Sequence, residues 1–141
     1  MKINQNGSEN SPSKITIGSI ARMPVPTVNS SETVSEIASI MVNCNIGAVI
    51  VMRDDEPLGI VTERDIVRKV IFGERDAHEI VAQEVMTAPL ITISYDRTVE
   101  EALEIMKHNH VRRLVVLKGE NMVGLLTERR LFQAKLLHEP K

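Results

Sequence analysis

The chain has 141 residues, of which 43% are hydrophobic and 26% charged, with a formal net charge of −2. These values suit a globular protein of one compact domain or two very small ones, large enough to bury a core without disulfides or metals. The slight acidity argues against a general nucleic-acid binder, and 2% aromatics offer no stacking platform for single strands. No apolar run reaches the roughly 18 to 20 residues that span a bilayer, so neither nucleic acid nor membrane is expected as a partner. The lone Cys44 cannot form an internal bridge, which suits a reducing cytoplasm.

In chain order, residues 1–15 read as a polar, disordered tail rich in Asn and Ser, with no signal-peptide core. Met23-Pro24-Val25-Pro26 is a short extended lead-in. Val34, Ile37, Ala38, Met41 and Val42 recur at helical spacing, with Thr33 or Ser31 placed to cap the helix. Ala48 to Met52 is a β-branched run, and residues 53–57 make a polar turn. Leu58 to Val61 is a second strand, and Thr62 opens a helix that runs through about Phe72. Further on, the pattern predicts a helix over about 98–108, strands over 113–117 and 122–126, and a last helix over about 127–138.

The two halves are copies. At an offset of 65, ten of the 33 positions in residues 33–65 are identical to those in residues 98–130. Gly59-Ile60-Val61-Thr62-Glu63-Arg64 falls on Gly124-Leu125-Leu126-Thr127-Glu128-Arg129, and Met23-Pro24-Val25-Pro26 falls on Met86-Thr87-Ala88-Pro89 at an offset of 63. A repeat of this size is marginal alone, so two copies are expected to share a core. The fold class is α/β (α+β): two tandem β-α-β-β-α repeats, 16–80 and 81–138, packed sheet to sheet about a pseudo-two-fold axis, with a short tail at 139–141. Ile66, Val67, Val70, Ile71, Leu131, Phe132, Leu136 and Leu137 exceed what one small sheet buries, which predicts a homodimer.

The informative stretch is Gly59-Ile60-Val61-Thr62-Glu63-Arg64-Asp65, where a strand passes into a helix. A helix start exposes unpaired N–H groups that favour phosphate, and a carboxylate there can accept from both hydroxyls of a ribose. The bland alternative is a capping box, with Thr62 as N-cap and Asp65 in place of the usual Glu or Gln. Local spacing does not separate the two.

The doubled unit, the Met-x-x-Pro lead-in and the Gly-h-h-Thr-x-x-Asp motif (h is apolar) resemble a CBS-domain pair, named after cystathionine β-synthase. The resemblance covers about residues 16–138. It implies a non-catalytic regulatory module with a cleft between repeats, and many members bind AMP, ADP or ATP there. Carried over by position, Thr62 and Asp65 match the phosphate-side hydroxyl and the ribose carboxylate. Ile60 and Val61 match the strand end lining the base pocket, and Leu90 and Ile91 match the partner repeat's contacts to the base. In a kinase subunit of the family, basic residues of the partner repeat meet the phosphates; the positions here are Arg112, Arg113 and Arg129. Guanidinium groups pair well with phosphate oxygens, although the same arginines could be solvated charges beside Glu128 or Glu120. Adjacent residues of a strand face opposite ways, and of Arg112 and Arg113 the second is preferred because its family match is an arginine.

The second motif differs. Arg130 replaces the ribose carboxylate and cannot accept from a hydroxyl, while Gly47 and Ala48 stand where the other copy has Arg112 and Arg113. One competent nucleotide site per chain, centred on Asp65, is therefore expected. The ligand implied is an adenine nucleotide, with Mg²⁺ left open, no catalytic cofactor, no metal site and an unknown regulated protein as partner. The alternatives are an oligomerisation module without a ligand, or S-adenosylmethionine, whose sulfonium three arginines would repel. His108-Asn109-His110 reads as the polar end of a helix and Cys44 as inert. Met23, Met41, Met86 and Met106 read as core filling. No catalytic constellation is present, so no enzyme is expected.

Overall fold

A computed structural model describes residues 15–21 and 25–138. The expected tails fall almost wholly outside these residues, as do Met23 and Pro24 of the first lead-in. The chain divides into two compact units, Val25–Leu90 and a second that joins the segment up to Pro24 with Ile91–Lys141.

In the first unit, β1 (Thr27–Asn29) is followed by α1 (Val34–Cys44), β2 (Ala48–Arg53) and β3 (Glu56–Thr62). A helix, α2 (Glu63–Ile66), then continues as a π-wound turn (Val67–Ile71), and α3 (Ala82–Val85) closes the unit. The sheet order is β1-β2-β3, with β1 parallel to β2 and β2 antiparallel to β3. A parallel pair needs a crossover, which α1 supplies. Thr33 caps α1 by accepting from the Glu36 amide (3.2 Å), and Asn45 ends it in the left-handed region at φ 54°. Val34, Ile37 and Met41 of α1 pack with Val28, Val49, Val51 and Val61 of the sheet, all buried, and Val70, Ile80, Ala82 and Val85 complete the core.

The second unit repeats the plan. A 3₁₀ turn (Ile17–Ser19) precedes β4 (Thr92–Ser94), α4 (Val99–Asn109), β5 (Arg113–Lys118), β6 (Asn121–Thr127) and α5 (Glu128–His138). The sheet order β4-β5-β6 has the same parallel and antiparallel pairings. Even the irregularity is copied: the register shifts between Val51 and Met52 in one sheet and between Val116 and Leu117 in the other, at the same repeat position. Thr98 and Glu101 form a capping box at α4, and His110 ends that helix at φ 55°. The core holds Ile17, Ile93, Val99, Ala102, Met106, Leu114, Val116, Leu126 and Leu131. Met41 and Met106 thus fill the cores and Met86 packs against the first, while Met23 lies outside the described residues.

Three elements depart from the expectation. The β2–β3 turn is tighter than 53–57, with strands running to Arg53 and from Glu56. The helix after Thr62 is π-wound over its second half, with the Phe72 amide donating to the Val67 carbonyl (2.8 Å). The short α3 was not expected. The compact units also differ from the linear segments 16–80 and 81–138, because the repeats exchange their lead-ins. Ile17 donates to the Arg97 carbonyl (2.8 Å) and Thr16 bridges Thr98, while Val81 bridges Thr33 and Ala82 donates to the Glu32 carbonyl (2.8 Å).

Candidate functional site

The strand-to-helix junction of the first unit is built from its backbone outward. β3 ends at Thr62, whose extended conformation (φ −112°, ψ 165°) lets its hydroxyl accept from the Asp65 amide (3.2 Å). In return, Asp65 Oδ2 accepts from the Thr62 amide (2.9 Å) and from the Thr62 hydroxyl (3.0 Å). This reciprocal pairing is a capping box. The other carboxylate oxygen, Oδ1, accepts from the Thr87 hydroxyl (3.0 Å) and lies 3.2 Å from Lys69 Nζ. Lys69 also donates to the Val85 carbonyl (2.9 Å).

Asp65 is only 8% exposed, and apart from Ser30 it is the one polar or charged residue buried among those described. Burying a charge is costly unless it is paired and hydrogen-bonded, and here it is both. The Glu63 amide is already engaged with the Gly47 carbonyl (3.0 Å), so the first turn of α2 is partly satisfied by the chain itself.

The residues on either side of Thr62 are sorted by strand alternation. Val61 is fully buried in the core, whereas Ile60 is half-buried on the opposite face. Of the two, Ile60 has the more accessible side chain. The Ile60 amide donates to the Thr87 carbonyl (3.0 Å), and the Thr87 amide returns a bond to Ile60 (2.8 Å). Gly59 permits this approach, since a Cβ there would stand 2.7 Å from the Thr87 carbonyl oxygen. Thr87 and Lys69 therefore belong to the junction although neither was singled out as a site residue. The spacing of Lys69, four residues after Asp65 on a helix, was the readable sign; Thr87 is brought in only by the tertiary fold.

The three candidate phosphate ligands cluster in the second unit. Arg113 opens β5 in register with Thr127, and the Arg112 carbonyl accepts from the Glu128 amide (2.9 Å), which joins the start of β5 to the start of α5. Arg112 and Arg129 are exposed and Arg113 is half-buried. Among the described residues none of the three forms an ion pair, with Glu128 and Glu120 included among the carboxylates they do not meet. Leu90 and Ile91 are both half-buried and fall on either side of the division between units; the Ile91 carbonyl accepts from the Val115 amide (3.0 Å).

At the equivalent junction of the second unit, Thr127 accepts from the Arg130 amide (3.1 Å), so the cap is kept. The Arg130 side chain instead donates from Nε to the Ile20 carbonyl (3.1 Å). Arg130 thus stands at the position of Asp65, and the acidic residue of that first turn is Glu128. His108 lies in the last turn of α4, His110 caps its end, and Cys44 ends α1 in an exposed position. Among the described residues no group of three or more His, Cys, Asp or Glu is arranged to hold a metal ion, and no helix is long and apolar enough to cross a membrane.

The CBS-domain family model matches this chain twice, over residues 17–71 and 81–136. The chain belongs to the CBS-domain family. CBS pairs are generally regulatory or ligand-binding modules. Similar relatives include an uncharacterised protein of Methanopyrus kandleri, 35% identical over 86% of this chain and 63% of its own length. The CBS domain-containing protein YhcV of Bacillus subtilis is 32% identical over 72% of each chain. Hypoxic response protein 1 of Mycobacterium tuberculosis is 31% identical over 80% of each. The chain thus spans just under two thirds of the first of these relatives.

Among solved structures, a CBS-domain protein of Burkholderia ambifaria superposes with a TM-score of 0.82 at 28% identity, covering 90% of this chain and 98% of that one. A hexameric CBS-CP12 protein from bloom-forming cyanobacteria gives 0.80 at 27%, over 90% and 75%. Hypoxic Response Protein I, solved with two coordinated zinc ions, gives 0.73 at 28%, over 89% and 100%.

Proposed function

We propose that this CBS pair is a non-catalytic regulatory module that binds one adenine nucleotide (AMP, ADP or ATP) per chain and signals its occupancy to a partner protein. The observation that carries this reading is the burial of Asp65. A capping box alone needs no burial: Glu101 plays the same capping role for α4 and is exposed, as is Glu84, which accepts from the Val81 amide (3.0 Å). A buried carboxylate is the acceptor that two vicinal ribose hydroxyls require once its present donors give way, and its replacement by Arg130 in the other repeat makes the two junctions unequal. Half-buried Ile60 is the apolar contact proposed for the base, and the family resemblance supplies Arg112, Arg113 and Arg129 as the cations proposed for the phosphates. Three guanidinium groups favour phosphate over the sulfonium of S-adenosylmethionine.

The test is calorimetric titration of AMP, ADP, ATP and S-adenosylmethionine. Saturable binding of a nucleotide near one per chain, abolished in Asp65→Ala and weakened in Arg113→Ala, is expected. Binding of S-adenosylmethionine alone would overturn the phosphate reading.

A specific observation favours self-association alongside this role. Val67, Ile71 and Phe72 are 54%, 67% and 85% exposed, and Phe132, Leu136 and Leu137 are 49%, 75% and 83% exposed. An open groove of about 430 Å³ lined by Ile20, Arg130, Gln133, Ala134, Leu136 and Leu137 adjoins the second set. We propose that these helix ends pack against a second copy of the chain, which would also serve a purely architectural module.

A further inference from the structure

We propose that Lys69 and Thr87 form a latch on Asp65, so that a ligand must displace them to reach the carboxylate and in doing so loosens the segment from Val85 to Thr87. The inference rests on Asp65 being the ribose acceptor. A carboxylate offers roughly four lone-pair sites; three are taken by hydrogen bonds from the Thr62 amide, the Thr62 hydroxyl and the Thr87 hydroxyl, and Lys69 Nζ stands beside Oδ1 as an ion pair at 3.2 Å, so at most one site is left. Two ribose hydroxyls therefore cannot be added to this arrangement; they have to be exchanged into it.

The two oxygens are not equally available for that exchange. Oδ2 is tied into the capping box that starts α2, and giving up those bonds undoes the helix start. Oδ1 is held by side chains from elsewhere: Thr87, which is exposed, and Lys69, whose side chain is 43% exposed. Exchange at Oδ1 leaves the cap intact.

Both partners of Oδ1 also hold the same short segment. Thr87 belongs to it and is paired with Ile60 through two backbone bonds, and Lys69 reaches it through the Val85 carbonyl. A ribose taking Oδ1 frees the Thr87 hydroxyl and removes the carboxylate that aligns Lys69 for its bond to Val85. Lys69 itself lies in the π-wound turn, so the exchange also reaches the helix that ends in exposed Ile71 and Phe72. Occupancy is thereby linked to an element far along the chain from the carboxylate's own cap.

Lys69→Met and Thr87→Val each remove one competitor while sparing the cap, and both alter side chains with solvent access. A contact of this kind contributes about 0.5–1.5 kcal/mol, so each variant is expected to bind AMP and ATP tighter by about two- to tenfold in calorimetry. Binding seen only in the variants supports the latch equally. Unchanged or weaker binding in both variants, with binding lost in Asp65→Ala, overturns the latch and leaves Asp65 as the ribose acceptor. No binding of either nucleotide to any of the proteins overturns both.

Discussion

At Asp65 two roles meet in one side chain. It completes a cap and it binds Thr87 and Lys69, so its removal strands several donors at once. Asp65→Ala is expected to destabilise the fold by about 1–3 kcal/mol, read as a lower urea midpoint. Arg130→Ala loses one bond to the Ile20 carbonyl from a largely exposed side chain, and about 1 kcal/mol is expected by the same measurement. A third residue reports through pH. The Thr98 amide, and then Arg97 (2.9 Å), hold the Glu101 carboxyl below its ordinary 4.5. Because the folded value is the lower one, the stabilisation is present above the ordinary value and is lost as pH falls through the folded value. Wild type is therefore expected to lose more stability than Glu101→Gln between about pH 5 and pH 3 in denaturant titrations. Glu32 works in the opposite sense, raised above 4.5 by its hydrogen bond to and repulsion from Glu36, and its contribution is lost as pH rises. At this scale the motif residues Thr62 and Asp65 were legible in the sequence, because a strand-to-helix junction is local. Val61 was carried over with Ile60 as pocket lining, yet strand alternation buries it. Lys69 and Thr87 were missed because their contact with Asp65 depends on how α2 and the 81–90 segment dock.

Between elements, the close approach of β3 and the Met86–Thr87 segment depends on Gly59. A methyl group at that position would meet the Thr87 carbonyl oxygen at 2.7 Å and Met86 Sδ at 2.8 Å. Gly59→Ala is expected to cost about 1–3 kcal/mol in denaturation, and to speed hydrogen exchange at the Thr87 amide, because backbone must shift to admit it. The helices and hairpins were readable because their signs are periodic: Val34, Ile37 and Met41 on one helix face, Val99, Ala102 and Met106 on its copy. The π-wound turn was not readable. Val67, Val70 and Ile71 fit an ordinary helix in sequence, and only the Phe72-to-Val67 bond records the wider turn. In the result Val70 is buried at 3% while Val67 and Ile71 are exposed.

At the scale of the whole chain, duplication explains most of what could be read early and what could not. The 65-residue offset gave the same strands, the same crossover helix and the same register shift twice over. It did not reveal that Ile17 completes the second unit and Ile80, Ala82 and Val85 the first, because an identity plot is blind to which copy a lead-in packs against. The exposed Phe72, Leu136 and Leu137 set the assembly prediction. Light scattering is expected to show a dimer or larger species that Phe72→Ser with Leu137→Ser reduces toward monomer. The central claim is that Asp65 makes one junction, and only one, competent for an adenine nucleotide. Calorimetry of AMP and ATP against wild type and Asp65→Ala tests it most directly. One saturable site per chain, lost in the variant, is the expected result; two equal sites, or one that survives Asp65→Ala, would contradict it.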